Sequence, residues 1–153
     1  MILSAQSIVE RCLADRPLIP FVDCKRIAHG HSWGLGAASY DVRLADGMWL
    51  FPFWGRLGRI IEYIRMPLDL AGQVKDKSTN ARLFILVQNT WIDPGWEGYL
   101  TVEITRLRPW PVYLKPGTPI AQIVFSQLDE PTDAPYGGKY QGQPARPVAA
   151  VLA

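Results

Sequence analysis

The sequence predicts a single, mainly β domain of the barrel or sandwich type. Seven short segments alternate apolar and polar residues with the period of a β-strand, and glycine or proline interrupts the chain between them. Only one segment, at the N-terminus, has helical periodicity. A chain of 153 residues can build one domain with its own core, and no internal repeat or second domain is visible. We therefore expect one domain over residues 1–153.

The N-terminal segment 1–16 is expected to form the helix. An apolar stripe with helical spacing runs from Ile8 to Leu13, and a proline follows the segment. Ser7 is followed three residues later by a glutamate, as in a capping box, and Ser4 is the competing N-cap.

The strands are expected in the rest of the chain up to residue 128. The segments with strand periodicity are, in order, ASYDVRL, MWLFPF, IIEYI, RLFILVQ, YLTVEITRL, PVYL and PIAQIVFSQL. KPGT at 115–118 predicts a hairpin turn between the last two. HGHSWGLG at 29–36 is expected to be a loop. The tail 129–153 contains prolines and glycines but no strand periodicity, which predicts an extended C-terminal arm.

Composition and charge exclude several function classes. The formal net charge of +2 is too small to predict binding to a nucleic-acid polymer, and no apolar run is long enough to span a bilayer. Cys12 and Cys24 do not form a disulfide framework. We expect a cytoplasmic protein in a reducing environment, or one in a host cytoplasm if a phage encodes it.

The predicted strand YLTVEITRL carries one carboxylate, Glu103, on its polar face. Around Glu103, apolar residues alternate with polar ones, so the carboxylate lies on the face opposite the apolar side chains. Exposure to water is the simplest explanation. The preceding turn, DPGWEG, is stiffened by proline and glycine and carries a second acid, Asp93, which instead indicates a positioned pair of carboxylates.

Two further segments have the residues of an anion or nucleotide site. In KDKSTNAR at 75–82, Ser78 or Thr79 is expected to cap a short helix whose free N–H groups point outward near lysine and arginine. In PYGGKYQGQ at 135–143, tyrosine, lysine and glutamine provide groups for a base and a phosphate. An ordinary capped helical turn and a disordered polar tail are the respective alternatives.

Zinc chemistry is not expected. Zinc-dependent deaminases combine an H-x-E motif with P-C-x-x-C, and neither motif occurs in this chain. His29 and His31 are too few and too closely spaced to build such a site with the cysteines. The tryptophans are expected in the core or in subunit contacts, and they are Trp33, Trp49, Trp54, Trp91, Trp96 and Trp110.

Taken together, the chain resembles the dCTP deaminases, which share a distorted β-barrel or jelly-roll fold with the trimeric dUTPases. The resemblance covers nearly the whole chain, because several motifs occur in the same order. They are SYDVRL, EYIRMPLDLAGQVKDKSTNAR, VQNTWIDPGWEGYLTVEIT, PGTPIAQIVF and PYGGKYQGQ.

The resemblance implies hydrolytic deamination of dCTP to dUTP and ammonia. Glu103 matches the acid that activates water at C4, and Arg82 and Ser78 match residues near the reacting centre and the phosphates. The remaining positions implied to bind substrate are Lys77, Thr79, Thr90, Asp93, Tyr136, Lys139 and Gln143. Of these, Tyr136, Lys139 and Gln143 match the C-terminal residues that close over the nucleotide.

The resemblance also implies a homotrimer with sites between subunits, and Mg²⁺ bound with the triphosphate rather than as the hydrolytic metal. Two alternatives remain open. One is a dUTPase or bifunctional enzyme that gives dUMP and pyrophosphate, in which Asp93 activates water at phosphorus. The other is a non-catalytic, nucleotide-binding or structural trimer. The chain departs from the family pattern in a shortened segment at 45–61 and at Phe84 and Arg106.

Overall fold

The computed structural model describes residues 1–152, and its architecture is mainly β, as the sequence predicts. Two short helices and eleven strands follow in the order α1 Ala5–Cys12, β1 Arg26–Ala28, β2 His31–Leu35, β3 Tyr40–Arg43, β4 Met48–Leu50, β5 Gly55–Arg65, β6 Leu70–Asp76, α2 Ser78–Arg82, β7 Ile85–Val87, β8 Trp91–Ile92, β9 Glu97–Arg106, β10 Val112–Leu114 and β11 Pro119–Gln127. Within the described chain, no helix is long and apolar enough to cross a membrane.

The strands form three antiparallel sheets around one core. The largest sheet has the order β1-β2-β3-β11-β6-β8, the second is β5-β9-β7, and β10 with β4 forms the third. The buried apolar residues of all three sheets and of α1 form a single cluster, which includes Ile8, Tyr40, Leu50, Ile104 and Phe125. The alternation read from the sequence therefore corresponds to side chains that point into and out of this cluster.

The N-terminal helix is shorter than the predicted 1–16. It spans Ala5–Cys12, and Ser4 is its N-cap, because the Ser4 side chain accepts a hydrogen bond from the backbone N–H of Ser7. The first residues are extended instead, since Ile2 forms a bridge with Ser126 of β11. The capping box at Ser7 is therefore wrong, and the competing cap is the correct one.

Two loop predictions need correction. The segment 29–36 is not a loop: His31–Leu35 is a strand that pairs with β1, and a turn at His29 and Gly30 joins them. The turn at 115–118 is present, with the Thr118 N–H donating to the Lys115 carbonyl. It does not close a hairpin, because β10 pairs with β4 while β11 pairs with β3 and β6. Local turn chemistry cannot show which strand a segment pairs with.

The tryptophans divide into two groups. Trp33 and Trp96 are buried, as expected for core residues. The other four are at least half exposed, and they are Trp49, Trp54, Trp91 and Trp110.

The tail 129–152 has almost no regular structure but lies against the domain. Residues 140–143 follow one edge of β9, and Gly98 of that strand forms a bridge with Gln143. The tail is thus an arm that packs on the second sheet, next to Glu103.

Candidate active site

A cavity of about 500 Å³ lies between β9, the segment that contains β8, and the C-terminal arm. Its lining is largely apolar and aromatic with a few polar groups, which is the usual composition of a small-molecule site. Five of the residues proposed from the sequence line it, namely Thr90, Asp93, Glu103, Tyr136 and Gln143.

Glu103 projects into this cavity from the centre of β9. It pairs across the sheet with Leu57 of β5, and both side chains line the cavity. Glu103 is half-buried, and within residues 1–152 its buried Oε2 atom has no hydrogen-bond partner. Burial raises the pKa of the Glu103 carboxyl group above its ordinary value, with a smaller opposing effect from its own backbone N–H. Exposure to water therefore does not explain this acid.

The turn before β9 holds the opposite wall. The Trp96 N–H donates to the Asp93 carbonyl at 3.2 Å, and the Gly95 N–H donates to the Met66 carbonyl at 2.9 Å. Gly95 has a φ of +83°, a left-handed conformation that favours glycine. The Thr90 carbonyl accepts from the Val74 N–H, which anchors the other end of the segment. Thr90 and Asp93 thus line the same cavity as Glu103.

The arm closes the cavity on a third side. Gln143 accepts two hydrogen bonds from β9: its carbonyl from the Tyr99 N–H at 3.0 Å, and its side-chain Oε1 from the Thr101 N–H at 2.9 Å. Gly98 allows this approach, because a Cβ there would lie 2.6 Å from the Gln143 nitrogen. Gln143 therefore fastens the arm to the strand that carries Glu103.

Tyr136 and Lys139 have different positions in the arm. Tyr136 lines the cavity, and its hydroxyl accepts from the Tyr140 N–H. Lys139 is exposed, and its ammonium group contacts the Val151 carbonyl rather than the cavity.

The residues of α2 lie outside the cavity of their own chain. Ser78, Thr79 and Arg82 are exposed on this five-residue helix. The helix is anchored to the start of β11, because the buried Asn80 side chain donates to the Pro119 and Ile120 carbonyls. The expected cap at Ser78 or Thr79 is wrong, because Lys77 is the N-cap and makes no side-chain capping bond.

Lys77 does not offer a free charge to a phosphate in this chain. Its Nζ lies 2.5 Å from Oδ2 of Asp41, and both side chains are about nine-tenths buried. Lys77 and Asp41 therefore neutralise each other, and this pair ties α2 to β3.

In a single chain, the charged residues that line the cavity are both acids. Its charged side chains are Asp93 and Glu103, and no lysine or arginine of residues 1–152 lines it. No group of three or more His, Cys, Asp or Glu side chains in this range is arranged to hold a metal ion. A cation that balances an anionic ligand therefore comes from outside this lining: from the ligand, from another part of the chain or from another chain.

Several lining residues were not singled out from the sequence as site residues. Leu57 reaches the cavity through its pairing with Glu103, which is a long-range contact that no local motif shows. Trp96 is buried and donates from Nε1 to the Tyr140 carbonyl, so it links the turn to the arm. Thr101 was detectable, because it lies two residues before Glu103 and strand periodicity puts both on one face.

An acid with a raised pKa in a largely apolar cavity is typical of a hydrolytic or proton-transfer site. Comparison with known proteins agrees with this class. The family model described as dCTP deaminase-like matches residues 42–128, which is more than half of the chain. The protein belongs to the dCTP deaminase-like family.

Two relatives illustrate the range of the family. A dCTP deaminase of Herpetosiphon aurantiacus is 32% identical over 176 aligned positions, covering 94% of this chain and 96% of the relative. The alignment is longer than this chain, so the relative contains segments that are missing here. A dUMP-forming dCTP deaminase of a Sulfurihydrogenibium species is 35% identical over 104 positions, which cover 67% of this chain and 58% of the relative.

Solved structures confirm the dUTPase-like fold. The 2′-deoxycytidine 5′-triphosphate deaminase from Agrobacterium tumefaciens superposes with a TM-score of 0.63 at 18% identity, over 81% of this chain and 47% of that one. A dUTPase from phage phi11 of S. aureus, whose structure contains a structural Mg(II) ion, superposes with a TM-score of 0.58 at 15% identity, over 78% of this chain and 92% of that one.

Proposed function

We propose that the protein deaminates dCTP, consuming water and releasing dUTP and ammonia. The observation that carries this proposal is the Glu103 carboxyl group, whose buried Oε2 has no partner in residues 1–152 and whose side chain lines a cavity of about 500 Å³. The family membership supports the choice of cytosine nucleotide as substrate. A free nucleotide as substrate also agrees with the cytoplasmic setting expected from the sequence.

Glu103 supplies the proton transfers. Its carboxylate removes a proton from water as the water oxygen bonds to C4 of the base. The carboxylic acid gives this proton to N3 of the base. Glu103 then takes the second proton of the former water from the C4 hydroxyl and gives it to the amine, so that C4=O forms, the C4–N bond breaks and ammonia leaves. One group can do both because burial raises the pKa of Glu103. The free-energy difference between its protonated and ionised forms near neutral pH is therefore smaller.

The surrounding walls orient the base and limit the access of water. Thr90 and Asp93 contribute the polar edge from the stiff turn, while Trp96 and Leu57 supply apolar surface. The arm covers the site, with Tyr136 and Gln143 on its inner side.

The triphosphate needs positive charge that one chain does not place in the cavity. Arg82 and Ser78 are exposed on α2, and Arg82 has no acidic partner within residues 1–152. We propose that α2 of one subunit completes the cavity of the next in a homotrimer, with Arg82 stabilising charge and Ser78 and Thr79 near the phosphates. Lys139 approaches them from the arm.

Mg²⁺ fits this site as a companion of the triphosphate. Its preferred ligands are oxygens, and it commonly keeps waters while binding phosphates and one or two carboxylates. Because residues 1–152 contain no grouped set of metal ligands, phosphate oxygens and water, rather than protein side chains, would be the main ligands of the ion. Bound there, the ion reduces the negative charge of the triphosphate.

The direct test replaces Glu103 by glutamine, which keeps the shape and removes the base. Glu103→Gln should lower ammonia release from dCTP by at least about a hundredfold, the size expected for loss of a general base. Nucleotide binding, measured by calorimetry, should be largely kept. Glu10→Gln, at an exposed position on α1, is the matched control and should have no effect. Near-normal turnover by Glu103→Gln would exclude the proposed mechanism.

A second candidate activity is hydrolysis of the phosphate chain to give dUMP and pyrophosphate. Asp93 lines the same cavity as Glu103, so a second carboxylate is available. This candidate predicts that Asp93→Asn abolishes pyrophosphate release from dUTP. If wild-type protein leaves dUTP intact, Asp93 acts in binding alone.

A further inference from the structure

The short helix α2 has two faces of different character. Ser78 and Arg82 are exposed, whereas Asn80, between them, is only 1% exposed. Residues four positions apart share one face of a helix, and a residue two positions from each of them lies on the opposite face. Arg82 is also bonded along this outer face, because its Nη1 atom donates to the Ser78 carbonyl at 3.2 Å. α2 therefore presents an outer face with Ser78 and Arg82, and its inner face is formed by Asn80.

The inner face lies against an irregularity at the start of β11. Pro119 and Ala121 of β11 face consecutive residues of β3, so Ile120 is an extra residue on the β11 side, as in a β-bulge. The pairing of β11 with β6 begins at Ala121. The Nδ2 atom of Asn80 donates to the Pro119 carbonyl at 3.0 Å and to the Ile120 carbonyl at 3.1 Å. The side-chain amide therefore supplies hydrogen-bond donors where the strand ladder is interrupted.

Two further side chains hold the backbone on either side of α2. The Asp76 Oδ1 atom accepts from the Val87 N–H at 2.7 Å, which joins the residues that precede and follow the helix. The Asp76 carbonyl accepts from Nε2 of Gln122, a residue of β11, at 3.0 Å. These bonds fix the chain that leads into α2 and out of it, whereas Asn80 provides the bonds from the helix itself.

The polar inner face controls the orientation of α2 in a way that apolar packing does not. A helix of five residues has little stability of its own. Hydrogen bonds are directional, so two bonds from Asn80 to neighbouring carbonyls fix both the depth and the rotation of the helix. The three residues belong to one chain, and Asn80 is already buried in the single protomer. These contacts are therefore independent of how the subunits assemble.

We propose that Asn80 is a positioning residue, which holds Arg82 in the orientation needed at the cavity of the next subunit. The inference rests on the proposed function, because that function assigns Arg82 to the charge of the bound nucleotide. Asn80 does not touch the nucleotide and acts through Arg82. A misplacement of about 1 Å is enough to cost about a hundredfold in rate, and rotation of α2 about its axis would move the guanidinium group sideways.

The test is a double-mutant cycle, measured by calorimetry with dCTP and Mg²⁺. Every protein carries Glu103→Gln, so that the nucleotide is not consumed during the titration. Asn80→Ala should raise the Kd for dCTP at least about tenfold, because α2 loses the bonds that orient it. In proteins that also carry Arg82→Gln, the same change should alter the Kd by less than about twofold, because the residue through which Asn80 acts is already gone.

Tyr40→Phe is the matched control for damage to the fold. Tyr40 is fully buried, and its hydroxyl accepts from the Asp23 N–H at 3.2 Å, a bond that involves no residue of α2. The control should lower the melting temperature and leave the Kd unchanged. If Asn80→Ala does not fold, Gln122→Met takes its place, because it removes the bond to the Asp76 carbonyl. This weaker change should raise the Kd by about threefold, the size expected for one hydrogen bond.

Ammonia release by the wild-type chain distinguishes this inference from the proposed function. Normal ammonia release from dCTP, together with an unchanged Kd in Asn80→Ala, would overturn the positioning role alone. An equal rise in Kd with and without Arg82→Gln would also overturn it, because Asn80 would then act on the fold as a whole. The expected pattern of Kd values without any ammonia release would support the positioning role and overturn the proposed function. A chain that binds no dCTP would overturn both.

Discussion

The carboxyl group of Glu103 is held where it is partly dehydrated, and this determines how its ionisation affects folding. Burial raises its pKa, so the folded chain binds a proton more tightly than the unfolded chain does. Between the ordinary and the raised pKa, the folded state carries more protons, and stability falls as the pH rises through that window. The proposed catalytic acid thus lowers stability at neutral pH, a cost that is common in active sites.

The first prediction at this scale concerns Glu103→Gln and stability. The neutral amide avoids the burial of a charge, so the variant should melt at a higher temperature than the wild type at about pH 8, and the difference should shrink towards about pH 4. Thermal unfolding at both pH values measures this. An equal melting temperature at high pH would mean that Glu103 is not significantly desolvated.

The second residue-scale prediction concerns the buried pair of Lys77 and Asp41. Lys77→Met leaves Asp41 buried without its partner, and should lower the free energy of unfolding by about 3 kcal/mol. Adding Asp41→Asn should recover part of that loss, which denaturant unfolding of the single and double variants would show. If Lys77→Met weakened nucleotide binding at unchanged stability, Lys77 would be a substrate ligand after all.

Among the elements, β9 makes the contacts on which the cavity depends. It carries Glu103 and receives the arm, while its last residue, Arg106, donates to the Trp110 and Leu83 carbonyls. The arm is tied to this strand through Gln143, through the Gly142 N–H, which donates to the Glu97 carbonyl, and through the Val148 N–H, which donates to Thr101. Closure of the cavity is therefore sensitive to changes at the edge of β9.

The prediction for this element is that Gly98→Ala loosens the arm. A Cβ at Gly98 would collide with the Gln143 backbone, and its φ of +149° is also unfavourable for alanine. The KM for dCTP should rise by about tenfold with less effect on melting temperature, since the arm adds little to the core. Gly137→Ala, where a Cβ meets no atom within 4 Å, is the control. A wild-type KM in Gly98→Ala would show that arm closure does not contribute to binding.

Local patterns in the sequence predicted where most strands form, but not which strands pair with one another. Strand alternation found β9 and put Glu103 on the correct face, and the glycine and proline turn before it was recognised with Asp93. The strand at His31–Leu35 was missed because its glycines and histidine look like a loop, and it is a strand through pairing with β1 and β3. Pairing of Leu57 with Glu103 also depends on strand order, which periodicity does not encode.

At the scale of the whole molecule, the cavity of one chain lacks the positive charge that its proposed substrate requires. The residues that we propose to provide it, on α2, are exposed and do not line that cavity. No pattern in a single sequence shows which residues meet across subunits. The anion-site pattern of KDKSTNAR at 75–82 and the family resemblance suggested that Ser78 and Arg82 belong to the site, but neither shows whose site it is. The departures from the family pattern at 45–61, Phe84 and Arg106 indicated no function from the sequence. In the structure they are neighbours, because Phe53 donates to the Arg106 carbonyl and Leu107 donates to the Phe84 carbonyl.

Mixing two inactive variants tests the shared site. Glu103→Gln and Arg82→Gln should each be inactive alone, because each removes one partner of every site. Refolded together in equal amounts, they should regain activity in about one site in four, where an intact Glu103 meets an intact Arg82 from the next subunit. Persistent inactivity of mixtures that demonstrably exchange subunits would place both residues in the same chain's site.

Product analysis of the wild-type protein separates deamination from hydrolysis of the phosphate chain. The chain is incubated with dCTP and Mg²⁺, and with dUTP in parallel, and nucleotides, ammonia and pyrophosphate are quantified. We expect dUTP and ammonia in equal amounts from dCTP, with dUTP itself left intact. If dCTP remained unchanged, or yielded pyrophosphate without ammonia, Glu103 would not be the base of a deaminase and the proposed function would be wrong.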